Sequence, residues 1–276
     1  MHVIVLAASG VAAMRAAFEH GDLDEAARQG ALAGPAVVER ALGAPDRTAR
    51  LAAIAAAPIV EDRAELLEPL ARVAGGPDRR TAIPAASAAR AIARELASHD
   101  RPDDIADDDL ATWRAAWAAL AMRRDRWIEL RVTALETAAA LDPAGTGVEL
   151  AAALHDPDPA FRRVAASIMP LPVAAASYAA LAGAIVGDSD PDVALGAAQS
   201  LCLSLDSTAS PRPILDALGA AGLTRLRALV TEGNRSPAGE GPRGSLARGN
   251  PGGVTDRPSA AMRDAARCLT AAGAAR

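Results

Sequence analysis

Residues 156–168 read DPDPAFRRVAASI, and residues 188–201 read DSDPDVALGAAQSL. Asp158 and Asp190 each precede a proline and stand 32 residues apart. An aspartate at this point can accept hydrogen bonds from the free N–H groups of a first helical turn. A proline after it costs nothing, because the N–H it lacks would have no partner inside the helix. Each stretch therefore opens a short amphipathic helix. Aligning further segments on the same kind of cap gives Asp46, Asp78, Asp125, Asp158, Asp190 and Ser259. Three residues on stand Ala49, Thr81, Ile128, Phe161, Val193 and Met262; seven on stand Ala53, Ala85, Val132, Ala165, Ala197 and Ala266. Offsets of three, seven and ten fall on one helical face. The same helix is thus written six times.

Between the caps lie other helical stretches, at 61–74, 110–122, 173–186 and 214–230, so the unit is a first helix, a turn and a capped second helix. An acidic spacer (DRPDDIADDDL, 100–110) widens one interval, and a Gly/Pro/Arg-rich stretch at 233–257 widens the last. A period of about 30–47 residues built from helix pairs predicts an α-solenoid, since one pair cannot bury its apolar face alone.

DPDPAFRRVAASI resembles the second-helix signature of HEAT and HEAT-like repeats: Asp-Pro, an apolar residue, Arg, then a small residue and Leu or Ile. Positions 156–201 carry the likeness best, and Asp46 with Arg50 and Ser259 with Arg263 carry it moderately. Ala82 and Glu129 replace the arginine in two copies, and Pro84 falls inside the first turns of one. The resemblance implies an all-α, right-handed α-solenoid of about six HEAT-like helix pairs over 21–275, behind an N-terminal apolar segment or capping helix at 1–20. It also implies a protein-interaction scaffold that binds on the solenoid surface, by default on the concave face of second helices. A few similar proteins are enzymes acting on DNA lesions or tetrapyrroles.

Composition agrees with an all-helical chain. About a quarter of the residues are alanine, the strongest helix former, and aromatics are 2%. All 29 basic residues are arginine. The absence of lysine excludes a P-loop phosphate lysine, a Schiff base or a Ser–Lys pair. Alanine and arginine at these levels match a GC-rich genome. A net charge of −5 argues against a chain that coats nucleic acid.

Arginines gather where the chain turns into the second helices: Arg47 and Arg50, Arg79 and Arg80, Arg123, Arg124 and Arg126, Arg162 and Arg163, and Arg263. Stacked repeats would align them into a ridge for an acidic partner. The competing arrangement is a ladder in which each pairs with an aspartate of its neighbour. The 233–257 stretch, with seven glycines, three prolines and four arginines, is expected to be a disordered insertion. Trp113 and Trp117 are four apart and share a helical face, which suits local core. The four histidines are too dispersed for metal spacing, and no catalytic motif or cofactor signature is present.

Cys202 and Cys268 lie 66 residues apart and fit no zinc motif, so buried free thiols are expected, with a disulfide between the last repeats, which would require export, as the alternative. Residues 1–13 are apolar, end in small residues and offer Val11 and Ala13 at signal-cleavage positions, but they lack a positive start and are broken by Ser9 and Gly10. The expectation is a cytoplasmic, non-catalytic scaffold whose partner is another protein, with export as the alternative. A HEAT-like enzyme or a polyanion-binding arginine ridge are the competing functions.

Overall fold

The computed structural model describes residues 2–98, 105–235 and 258–274, with side chains over 9–98, 105–231 and 263–274. The described residues form fourteen α-helices and no strand. No helix among them is long and apolar enough to cross a membrane. The chain divides into two compact units, Met1–Glu149 and Leu150–Arg276.

In the first unit, α1 (His2–Glu19), α2 (Leu23–Ala33), α3 (Pro35–Leu42) and α4 (Arg47–Ala56) come first. They are followed by α5 (Leu67–Ala74), α6 (Arg79–Ser98), α7 (Asp107–Ala121) and α8 (Ile128–Leu141). Helices α3, α5 and α7 pack on α4, α6 and α8 respectively, α6 packs on both α4 and α8, and α1 covers α2 and α4. The core runs through Met14, Val38, Leu67, Leu70, Ile92, Trp117, Leu130 and Leu135. Alanines fill what these leave, and they allow close approach of helix axes. Gly30 marks a close approach between helices: a Cβ there would lie 2.2 Å from the Cβ of Ala56. Pro84 does not end α6, which continues through it to Ser98.

α9 (Gly147–Ala153) spans the division between the units. The second unit then holds α10 (Pro159–Ser167), α11 (Tyr178–Gly187), α12 (Pro191–Leu203), α13 (Arg212–Arg235) and α14 (Pro258–Ala274). Helix α12 packs on α10 and α14, α11 packs on α12, and α13 lies against α11 and α14. Helix α13 kinks at Gly219, whose φ of 56° and ψ of −169° suit only glycine. The expected insertion at 233–257 begins as the last turn of α13 and, beyond residue 235, lies outside the described residues.

Four of the expected caps form as read. Asp46, Asp158 and Asp190 accept from first-turn N–H groups of α4, α10 and α12. Asp78 accepts from Arg80 N at 3.1 Å ahead of α6. Asp125 does not cap α8, which starts after Trp127. The carboxylate is taken by Arg123, two residues earlier, at 2.7 and 3.1 Å. Helix α14 begins at Pro258, one residue before the expected cap Ser259.

The expectation of free thiols is overturned. Cys202 on α12 and Cys268 on α14 are buried as expected but joined in a disulfide, their Cα atoms 5.4 Å apart. The close packing of α12 on α14 brings both sulfurs to one seam, which a 66-residue spacing does not reveal.

Candidate partner-binding surface

Most of the arginines that the sequence gathers at the turns are engaged within the chain. In the first unit, Arg15 meets the cap Asp46 at 3.2 Å and Arg47 meets the cap Asp78 at 3.5 Å. Arg79 donates to Glu129 at 2.8 Å. Two others hold backbone carbonyls, Arg126 while also standing 3.7 Å from the Asp125 carboxylate. Arg50 Nη1 donates to the carbonyls of Ala44 and Pro45 at 2.7 and 2.8 Å. Arg126 donates to those of Gly75 and Gly76 at 2.7 and 3.2 Å. Arg123, Arg124 and Arg80 are exposed, and Arg123 is paired with Asp125.

The second unit carries a tighter version. Arg162 donates through Nε and Nη2 to the two oxygens of Asp188 at 2.7 and 2.9 Å, while its Nη1 holds the carbonyls of Asp156 and Pro157. The Asp188 side chain is only 6% exposed. Hydrogen bonds from Arg162 hold its carboxyl below the ordinary carboxylate range, against the upward push of burial. Arg163 does the same for the cap Asp190, bonding it at 2.8 and 2.9 Å. Arg263 is exposed on α14. The ten arginines thus fall into separate groups in two units, and the carboxylates that stand beside them compensate much of their charge.

Two concavities of the first unit have a distinct chemistry. The larger, ≈ 830 Å3, spans two successive helix pairs at the turns before α4 and α6. Arg40, Arg50 and Arg72 line it together with Pro45, Val73 and Gly76. Arg72 is paired with Glu39 at 3.1 Å. Arg40 is exposed and has no ion-pair partner among the described residues. Arg40 and Arg72 were not singled out by the sequence, because they stand at the ends of first helices, where no cap repeats to align them.

The smaller cavity, ≈ 430 Å3, lies between the turn at Asp62–Glu65, the end of α6 and the start of α7. Half-buried Trp113 lines it, with Asp109 one turn earlier. Trp117 is instead fully buried, its indole N–H without an acceptor among the described residues. The shared helical face of the two tryptophans therefore serves both core and cavity wall. Sequence reading also passed over Arg131, buried at 4% exposure, whose Nε donates to the Ala121 carbonyl at 2.9 Å and ties the end of α7 to α8. Among the described residues no group of three His, Cys, Asp or Glu side chains stands where it could hold a metal ion.

Neither a scan of the chain against protein-family models nor a search of curated proteins gives a match.

Proposed function

We propose that this chain is a non-catalytic interaction scaffold of the HEAT-like α-solenoid kind, docking a partner protein on the surface made by its repeated helix pairs. The observation that carries the reading is the ≈ 830 Å3 groove, whose walls come from two consecutive pairs and exist only because the pairs are stacked. Repeat stacks bind through such extended faces, with shape and scattered charge selecting the partner. The pairing of Arg47, Arg79, Arg162 and Arg163 with carboxylates weighs against the alternative of an arginine ridge for polyanions. The buried Cys202–Cys268 bond supports an oxidising compartment, hence export rather than the cytoplasm.

The test is affinity capture with the full chain from extract of its native host, treated with nuclease. A stoichiometric protein partner is the expected result. Recovery of nucleic acid alone, with binding that falls steeply as salt rises, would establish the polyanion function instead. Recovery of nothing would remove the scaffold reading.

A further inference from the structure

The two units carry the same arginine-held turn in the same register, with a different residue at the position that faces the arginine. Arg50 follows its cap Asp46 by four residues, and Arg162 follows Asp158 by four. Both guanidinium groups are held by Nη1 on the carbonyls five and six residues earlier, Pro45 and Ala44 in one and Pro157 and Asp156 in the other. In the second unit the remaining edge of Arg162, Nε and Nη2, grips Asp188, which lies 26 residues on. Asp188 also accepts from the backbone N–H of Asp190 at 2.9 Å. In the first unit, 26 residues beyond Arg50, the chain has Gly76.

The carboxylate is therefore missing while its receptor is kept. Among the described residues the Nε–Nη2 edge of Arg50 has no partner, and the N–H of Asp78, the counterpart of the Asp190 donor, has none either. Arg50, Gly76 and Asp78 all line the ≈ 830 Å3 groove. The turn that carries Gly76 is pinned by Arg126, so the wall is preformed.

We infer that the Arg50 niche receives a carboxylate from outside the chain, carried by an extended acidic segment of a partner polypeptide. The proposal rests on the scaffold reading and names the docking point within it. The two carboxylate oxygens take Nε–H and Nη2–H of Arg50, and one of them also takes the Asp78 N–H, as in the Asp188 pattern. A bidentate guanidinium–carboxylate pair is charge-assisted and directional, which gives register as well as affinity. Arg40, without a carboxylate of its own, meets a second acidic side chain on the same segment. Pro45, Pro77 and Val73 provide the apolar bed between them. The nearby Asp78 carboxylate does not forbid this, because Arg47 stands 3.5 Å from it and offsets its charge, the part that Arg163 plays for Asp190 beside Asp188. A polypeptide is chosen over a small anion because the groove spans two helix pairs, and because the one occupant visible in this geometry is a peptide aspartate.

The test uses fluorescence anisotropy of the full chain with a labelled Gly-Asp-Ser-Asp-Pro peptide, the sequence of residues 187–191, and its double Asn analogue. The aspartate peptide is expected to bind and the Asn analogue to lose at least about tenfold. Arg50→Lys keeps charge but not the fork, and should also lose about tenfold with unchanged circular dichroism. Arg40→Ala, a substitution of an exposed side chain, should lose about threefold. Equal binding of both peptides, no binding, indifference to Arg50→Lys, or stronger competition by citrate or an oligonucleotide than by unlabelled peptide would each overturn the niche. A partner captured from extract as well by Arg50→Lys as by wild type would overturn the niche while leaving the scaffold standing. Capture of no protein by either would remove the scaffold itself.

Discussion

The second unit holds its helices with a disulfide from α12 to α14 and a nearly buried bidentate ion pair from α10 to the turn before α12. Among the described residues the first unit has more helices and neither device. It relies on close alanine packing around larger side chains, with ion pairs such as Arg79–Glu129 that are half exposed on both sides. Trp117, Leu67, Leu70, Leu130 and Leu135 give the first unit a contiguous apolar centre. The second unit has a core of its own, with Phe161, Leu181, Ile185 and Leu201 fully buried, and adds the cross-link where α14 packs on α12. Apolar burial tolerates any pH and redox state; cross-links do not.

The largest expected break in that contrast is reduction of Cys202–Cys268. Opening a loop of 66 residues removes about 4 kcal/mol of constraint on the unfolded chain. Hydrogen exchange under reducing conditions, or in Cys202→Ala/Cys268→Ala, should show protection lost in α12 and α14 while α4 to α8 keep theirs. All three tryptophans lie in the first unit, so their fluorescence melt should shift far less than circular dichroism. Equal shifts would mean that the units unfold as one.

Asp188→Gly writes the first unit's turn into the second. It leaves two donors of Arg162 unpaired, and a loss of about 2–3 kcal/mol in urea unfolding is expected. No change would mean that water serves Arg162 as well as the carboxylate does. In the first unit, Gly30→Ala should cost about 2 kcal/mol, because the added methyl meets Ala56 at 2.2 Å and the helices must part.

The pair also gives the second unit an acid sensitivity. Asp188 and Asp190 are held below their unfolded-state values, so the folded unit binds fewer protons than the unfolded chain. Their contribution is complete above the ordinary carboxylate pKa of about 4 and is lost as pH falls through the depressed folded values. Between pH 6 and pH 3, exchange protection should fall more in α10–α12 than in α4–α6. At the small end, Arg79→Ala should change stability by less than about 0.5 kcal/mol, since its pair with Glu129 is open to solvent.

Much of this architecture was legible because capped helices announce themselves. Asp158-Pro and Asp190-Pro state both the first residue of a helix and its satisfied N–H groups, and the apolar offsets then give the buried face. Asp125 was misread because a cap depends on what else competes for the carboxylate, and Arg123 stood two residues away. The disulfide is legible in the sequence only as an alternative to free thiols, because the choice depends on which faces of α12 and α14 meet, a matter of packing rather than spacing. The groove was half legible. Arg50 and Arg162 align in any reading of the repeat, but the glycine at 76 becomes informative only once Nη1 is seen to hold both arginines in one pose.

The bond between Cys202 and Cys268 also closes a covalent ring that contains every residue from 202 to 268. A protease that cuts once anywhere between 236 and 257 would open the ring without dividing the molecule. The nicked protein would keep its mass on a non-reducing gel and split into two fragments on a reducing one, with α14 still seated against α12. In this unit, then, integrity of the backbone and integrity of the fold are separate properties.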